Sequence, residues 1–143
     1  MQIGVDSQRA VDNKRVFIVD CDEVSGLALQ FMLADECEAH LLADVESALH
    51  KGQDWPPDLL LLGQGNLAKE GIKVLALLRQ QHPALKIVVV CDSTDDSHVR
   101  QALAQGANST LPRPLTLESV RRKVDAQLGR RTPLGLGIAV TVA

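Results

Sequence analysis

Side chains that can bind a cation or act as nucleophiles follow two apolar runs of the chain. Residues 20–23, Asp-Cys-Asp-Glu, come directly after the run at 15–19. Cys91 closes a later apolar run, and Asp92 follows it. Carboxylate oxygens suit hard cations such as Mg²⁺, whereas thiolates suit soft metals and redox chemistry. The two sets of residues therefore allow either chemistry, provided that the fold brings them together.

A run of four leucines at 59–62 indicates where the site lies. The run has no polar face, so it must be covered on both sides, as a strand is in a parallel sheet flanked by helices. Ligands of open α/β sheets bind just beyond the carboxyl ends of the strands. Gly63 stands at that end of this strand, and we expect the site around it.

Apolar runs and helical periodicities alternate five times along the chain. Strands are predicted at about 15–19, 39–43, 59–62, 87–91 and 109–111, and helices at about 24–34, 45–50, 69–81, 96–105 and 117–128. This order predicts one α/β domain at 14–129, a doubly wound parallel sheet with helices on both faces. Residues 1–13 are expected to be a flexible arm, and residues 130–143 a tail or linker with an extra strand at 138–142 as one alternative.

The same periodicity predicts which helix residues face the core. In the first helix they are Val24, Leu27, Ala28, Phe31 and Met32. In the third and last helices they are Ile72, Leu75, Leu78, Leu117, Val120, Val124 and Leu128.

Composition argues against several classes of function. The net charge is −3 and only 2% of the residues are aromatic, which argues against binding to nucleic acid or to an anionic membrane. Three cysteines, an odd number, fit a reducing cytosol better than secretion. No apolar run approaches about 18 residues and the N-terminus lacks an apolar signal segment, so we expect a cytoplasmic protein.

Several short motifs occur in order between residues 14 and 128. They are residues 19–23 (Val-Asp-Cys-Asp-Glu), 57–62 (Pro-Asp and four Leu), 71–75 (Gly-Ile-Lys-Val-Leu), 106–108 (Gly-Ala-Asn) and 113–115 (Arg-Pro-Leu). Together they resemble the receiver domain of bacterial response regulators. The resemblance implies a flavodoxin-like, five-stranded parallel sheet in the order 2-1-3-4-5.

The resemblance also implies a phosphorylation pocket. In that family an Asp at the end of strand three takes a phosphoryl group from a histidine kinase, two acidic residues help to hold Mg²⁺, and a Ser or Thr and a Lys contact the phosphoryl oxygens. The corresponding positions of this chain are Asp20, Cys21, Asp22, Gly63, Cys91, Asp92 and Arg113.

Several of these positions depart from the family pattern. Gly63 carries no nucleophile, and Cys21 is a poor ligand for Mg²⁺, so we expect no phosphoacceptor there and weak or absent Mg²⁺ binding. Asp58 cannot substitute, because five residues at about 3.3 Å each place it roughly 17 Å from Gly63 at the other end of the strand. Arg113 is expected to point into the pocket and pair with Asp20 or Asp22 in place of Mg²⁺.

The sequence is therefore interpreted as a degenerate receiver, not an enzyme, that acts in two-component-type signalling through phosphorylation-independent protein contacts. The expected partners are a kinase, an output domain or a scaffold, and a second copy in a homodimer to which the apolar tail at 134–142 contributes. The predicted partner surface comprises Val99, Leu103, Thr110, Val120, Arg121 and Val124.

Two alternatives remain open. The first is a redox or small-molecule sensor, in which Cys21 and Cys91 flank an open space left by Gly63. The second is a phosphorelay receiver with an atypical acceptor such as Asp22 or Asp92.

Overall fold

A computed structural model describes residues 14–130 of the chain, so the predicted arm at 1–13 and the tail from 131 onward lie outside the described residues. The strands are β1 (Arg15–Val19), β2 (Glu38–Leu42), β3 (Leu59–Gly63), β4 (Lys86–Cys91) and β5 (Ser109–Pro112). They form one parallel sheet in the order β2-β1-β3-β4-β5. The predicted fold class and strand order are confirmed.

The helices of residues 14–130 are α1 (Glu23–Leu33), α2 (Val45–Gly52), α3 (Gln64–Glu70), α4 (Lys73–Gln81), α5 (Ser97–Ala104) and α6 (Leu117–Leu128). Asp22, Asp44, Asp96 and Thr116 precede α1, α2, α5 and α6, and each side chain accepts a hydrogen bond from a first-turn N–H. These bonds satisfy amides that have no partner inside the helix, which is why the helices begin there. None of these helices combines the length and the apolar character needed to cross a bilayer.

The leucine strand β3 is buried from both faces. Leu60 and Leu62 pack with residues of α2, α3, α4 and α5, whereas Leu59 and Leu61 pack with residues of α1 and α6. Full burial of each leucine contributes on the order of 1.5–3 kcal/mol relative to exposure. This double burial fixes the carboxyl end of β3, where the predicted site lies.

Helix α1 buries a different face from the predicted one. Val24 is 77% exposed and Phe31 is 84% exposed, and Leu27 is exposed as well; the predicted inward stripe is wrong for these residues. The residues that α1 buries are Ser25, Gly26, Leu29 and Leu33. A Cβ on Gly26 would lie 2.7 Å from Cδ1 of Leu41, so the small residues of α1 allow it to lie close against the sheet.

The predicted helix at 69–81 is interrupted at Gly71: residues 69–70 are the end of α3, and residues 73–81 form α4. Gly71 has φ of 93°, a left-handed value that disfavours side chains and interrupts the helix. Leu75 and Leu78 are buried as predicted, and Ile72 is half-buried. Sequence periodicity missed α3, which begins directly at the end of β3.

Helix α6 follows its prediction except at its first residue. Val120 and Val124 are buried and Leu128 packs against the core. Leu117, the first helical residue after the Thr116 cap, is exposed.

Candidate functional site

The carboxyl group of Asp20 occupies the space beside Gly63. Asp20 follows β1 and is only 6% exposed. A Cβ placed on Gly63 would lie 2.8 Å from Oδ1 of Asp20, closer than non-bonded atoms approach. The backbone of Gly63 (φ −69°, ψ 142°) is ordinary extended backbone, so the neighbouring carboxylate favours glycine here. The open space predicted between Cys21 and Cys91 is therefore wrong.

Arg113, which follows β5, reaches into this pocket. Its Nη2 lies 3.5 Å from Oδ2 of Asp20 and its Nη1 lies 3.1 Å from Oδ1 of Asp92. Its Nε and Nη2 donate hydrogen bonds to Oγ of Ser25 at 3.3 and 3.0 Å. The predicted ion pair with Asp20 is confirmed. Asp22, the other predicted partner, instead caps α1 and accepts a hydrogen bond from Ser25 Oγ at 3.0 Å.

Burial raises the pKa of the Asp20 carboxyl above its ordinary value of 3.8, although the N–H of Asp22 and the guanidinium of Arg113 oppose the rise. The Asp22 N–H donates to Oδ1 of Asp20 at 2.9 Å. Oδ2 of Asp20 is buried and accepts no hydrogen bond from the described residues, since the contact with Arg113 lacks hydrogen-bond geometry. The loss of hydration therefore outweighs the attraction to Arg113.

The two pocket thiols have different surroundings. Cys21 is exposed, whereas Cys91 is fully buried among the core residues that pack on α5. Burial raises the pKa of the Cys91 thiol, which makes its reactive thiolate scarcer. Both are free. They do not form an accessible pair in the described part of the chain.

Three polar residues of the site were not singled out from the sequence: Ser25, Asn66 and Gln64. Asn66 is buried, accepts a hydrogen bond from the N–H of Cys21 at 2.7 Å and donates to Glu70 at 2.8 Å. Gln64 accepts a hydrogen bond from the N–H of Asp92 at 2.9 Å. Ser25 stands three residues after the α1 cap, which is a signal in the sequence. Nothing in the sequence indicates the contacts of Asn66 with Cys21 and of Gln64 with Asp92, because these pairs are 45 and 28 residues apart.

The predicted partner surface is correct only in part. Val99, Val120 and Val124 are fully buried, so assigning them to a partner surface is wrong: they are the core-facing positions of α5 and α6. Leu103 is exposed, while Thr110 and Arg121 are half-buried. These three residues remain accessible, and a contact through them stays a prediction.

Comparison with known proteins agrees with this fold. The family model of the response regulator receiver domain matches residues 16–125. The chain belongs to the receiver domain family. It is 29% identical over 119 residues to the alkaline phosphatase synthesis transcriptional regulatory protein PhoP of Bacillus subtilis (strain 168), covering 82% of this chain and 50% of that protein.

A second relative of this receiver domain is the transcriptional regulatory protein KdpE of Staphylococcus aureus (strain NCTC 8325 / PS 47). The two are 26% identical over 111 residues, which is 77% of this chain and 48% of that protein. The chain thus spans about half the length of both relatives.

Solved structures show the same receiver fold. A two-component response regulator from Clostridium difficile matches with a TM-score of 0.72 and 25% identity, over 82% of this chain and 98% of that one. A putative response regulator from Chloroflexus aurantiacus J-10-fl matches with a TM-score of 0.73 and 24% identity, over 82% and 99% of the two chains.

The residues of this receiver do not fit the Mg²⁺ ion that the family implies. Mg²⁺ requires near-octahedral oxygen coordination, but Cys21 offers sulfur, Gly63 offers no side chain, and the guanidinium of Arg113 already lies beside Asp20. Within residues 14–130, no group of three or more His, Cys, Asp or Glu side chains is placed to hold a metal ion.

Proposed function

We propose that this chain is a degenerate receiver that acts in two-component-type signalling by phosphorylation-independent protein contact. One observation carries the proposal: the end of β3 has no side-chain nucleophile, and the carboxylate of Asp20 fills the space where such a side chain would begin. A phosphoryl group transferred to this position would need an oxygen nucleophile that Gly63 does not supply.

Arg113 supports the proposal from the opposite side of the pocket. Its guanidinium contacts the carboxylates of Asp20 and Asp92 and so supplies positive charge where a receiver pocket would hold Mg²⁺. The hydrogen bonds to Ser25 tie β5 to α1 in the same arrangement. In this proposal the pocket keeps one conformation without metal or phosphate, Mg²⁺ binding is weak or absent, and the domain is not an enzyme.

The contact surface in this proposal is the face formed by α5, β5 and α6. Leu103 of α5 is 41% exposed and Leu117 of α6 is 48% exposed, so both helices of that face have an accessible apolar side chain. The partner is a cytoplasmic kinase, an output domain, a scaffold protein or a second copy of the chain.

Phosphorylation can be tested directly on the full chain. We expect no mass increase after incubation with acetyl phosphate and Mg²⁺, with intact mass as the readout and an acceptor-containing receiver domain treated in parallel as the positive control. Addition of one phosphoryl group would contradict the proposal.

A second candidate function is phosphorelay through Asp92. This carboxylate is 78% exposed and lies 3.1 Å from a guanidinium nitrogen of Arg113, so it is accessible and has a cation beside it. If the wild-type protein gains a phosphoryl group, this candidate would be favoured by Asp92→Asn failing to gain it while Asp22→Asn still gains it. The reverse pattern would place the acceptor at Asp22.

Redox or small-molecule sensing through a vacated pocket has less support. Asp20 occupies the space beside Gly63, and Cys91 is buried whereas Cys21 is exposed. An oxidant-dependent change in oligomeric state that Cys21→Ser abolishes would be the result in its favour.

A further inference from the structure

The strand β2 lies at an edge of the sheet and has one neighbour, β1, within the described residues. The N–H of Glu38 donates to the carbonyl oxygen of Lys14 at 2.8 Å, so the backbone groups of Glu38 and His40 point toward β1. Because these groups alternate along a strand, those of Ala39 and Leu41 point to the outer edge. The edge can therefore pair with another strand.

An apolar groove lies beside this edge on the α1 side of the sheet. It has a volume of about 590 Å³ and is lined by uncharged residues, which are Leu27, Gln30, Phe31, Ala34, Cys37 and Ala39. Within it, Leu27 is 53% exposed and Phe31 is 84% exposed. The unpaired strand edge and the uncovered side of α1 are therefore neighbours, and one partner can cover both.

The strand β2 is complementary to a second copy of itself that runs antiparallel about a two-fold axis at His40. Ala39 of one copy then lies opposite Leu41 of the other, and the two residues exchange their backbone hydrogen bonds. On the α1 side, a small side chain thus meets a large one. On the opposite side, Glu38 becomes the diagonal neighbour of His40 in the other copy. These two side chains already pair within one domain, at 2.7 Å, so their charges are complementary across the axis as well.

The same axis passes beside the middle of α1. Gln30 Nε2 donates to the carbonyl of Ala39 at 3.3 Å, and that oxygen keeps a second lone pair for another donor. A Cβ on Gly26 would lie 2.7 Å from Cδ1 of Leu41. Positions 30 and 26 of α1 are therefore level with positions 39 and 41 of β2, and the helix turn between them is level with His40.

In this arrangement the two copies of α1 lie at packing distance. α1 covers the two outermost strands, since its Leu29 and Leu33 pack with Val16 of β1 and Leu41 of β2. The axis is half a strand spacing outside β2, so the midline between β1 and β2 is one spacing, about 4.8 Å, from it. Helices over the two midlines are then about 10 Å apart, a distance typical of packed helices. They run antiparallel, with Leu27 of both copies near the axis.

We propose that a second copy of this chain docks on the β2 edge, so that the two sheets become one and α1 packs antiparallel against α1 of the other copy. Arg121 lies 3.9 Å from Asp35, the carboxylate just after α1, and offsets part of the charge beside this contact. The surface is separate from the α5–β5–α6 face, so a domain paired in this way keeps that face for another partner. The inference does not depend on the absence of phosphorylation.

Sedimentation equilibrium of the full-length chain tests the docking surface. The wild type should form a dimer, and Leu27→Asp should raise its dissociation constant by about tenfold or more, because it places a carboxylate from each copy beside the axis. Leu103→Asp is the matched control: Leu103 is an exposed leucine of α5, and its replacement should leave the dissociation constant unchanged. Both leucines are exposed, so both variants should keep the far-UV circular dichroism of the wild type.

Cross-linking tests the register independently. The two His40 residues form a pair without mutual hydrogen bonds, whose Cα atoms lie about 4.5 Å apart, within the range that a disulfide spans. His40→Cys should therefore form a disulfide-linked dimer with oxidised glutathione as the oxidant. The background is Cys21→Ser, because Cys21 is exposed whereas Cys37 and Cys91 are buried. Leu42→Cys is the matched control and should not cross-link, because its two copies would lie four residues, roughly 13 Å, apart along the strands.

Three results would overturn the proposal. The first is a wild-type chain that stays monomeric up to about 1 mM. The second is a dimer that Leu103→Asp abolishes and Leu27→Asp keeps, which would assign the contact to the α5–β5–α6 face. The third is equal cross-linking of His40→Cys and Leu42→Cys. Phosphorylation of the wild type would contradict the proposed function and leave these three tests unaffected, so the two failures can be told apart.

Discussion

The pocket at the carboxyl ends of the strands and the outer side of α1 differ in whether other residues of the described domain contact their side chains. In the pocket, polar groups are matched by other groups of the same domain: Arg113 contacts Asp20, Asp92 and Ser25. On α1, Val24 and Phe31 are large apolar residues that the described domain leaves uncovered.

This difference indicates where the protein interacts with its surroundings. In the proposed function the pocket contains its own cation and needs neither metal nor phosphate, whereas uncovered apolar surface gains free energy when another chain segment covers it. Variants of the two regions should therefore behave differently.

The largest loss is expected when an acidic side chain is placed at the end of β3. Gly63→Asp should lower the free energy of unfolding by about 3–4 kcal/mol, because it adds atoms 2.8 Å from Asp20 and a second carboxylate in a buried site. Gly63→Ala adds a Cβ without a second carboxylate, and it should lower the free energy of unfolding by about 1–2 kcal/mol. Urea denaturation measures both. A Gly63→Asp protein as stable as the wild type would show that the pocket is more open than the structure indicates.

The next largest effect should come from the buried side of α1. Leu29→Ala should lower the free energy of unfolding by about 3 kcal/mol, because Leu29 has no exposed surface. Val24→Ala on the exposed side of the helix is the control and should change it by less than about 0.5 kcal/mol. Similar losses in both variants would contradict the observed orientation of α1.

Removal of the pocket cation should have a smaller effect. Arg113→Met should lower the free energy of unfolding by about 2 kcal/mol near neutral pH, because it leaves Asp20 buried without its ion-pair partner. Arg113→Lys keeps the charge and should recover part of this loss. Unchanged stability in Arg113→Met, with Mg²⁺ affinity also unchanged, would argue against an internal cation.

The smallest effect concerns the protonation of Asp20. Its pKa in the folded protein is raised above 3.8, chiefly by burial, so the stability that this group contributes is highest below pH about 3.8 and falls as the pH rises through the folded-state pKa. Asp20→Asn should therefore be more stable than the wild type near neutral pH, with the difference disappearing in acid. Urea denaturation of both proteins over a pH series measures this, and a difference that grows in acid would contradict it.

Local patterns predicted much of the fold. The four leucines at 59–62 identified a strand buried on both faces, and the helices predicted from about 45 and 117 begin at Val45 and Leu117. Asp58 lies at the amino end of β3 as predicted, where it accepts a hydrogen bond from the N–H of Arg15 at 2.9 Å. The break at Gly71 was not predicted, because a glycine within a helical pattern does not reveal the sign of its φ angle.

The orientation of α1 could not be predicted from periodicity. Apolar residues occur on both sides of that helix, at Leu27 and Phe31 and at Leu29 and Leu33, so two different stripes satisfy the helical spacing. Packing against the sheet decides between them, because the small residue Gly26 must lie against Leu41.

The sequence by itself determined that the strand end at Gly63 has no nucleophile, since the presence of a side chain is a covalent fact. It also determined the alternation of strands and helices, because that pattern depends on neighbours a few residues apart. Only the tertiary structure decided that Asp20 fills the space beside Gly63, that Arg113 bonds to Ser25, 88 residues away, and that Cys91 is buried while Cys21 is exposed. Those outcomes depend on which distant side chains pack together, and hydropathy and spacing along a single chain do not encode those distances.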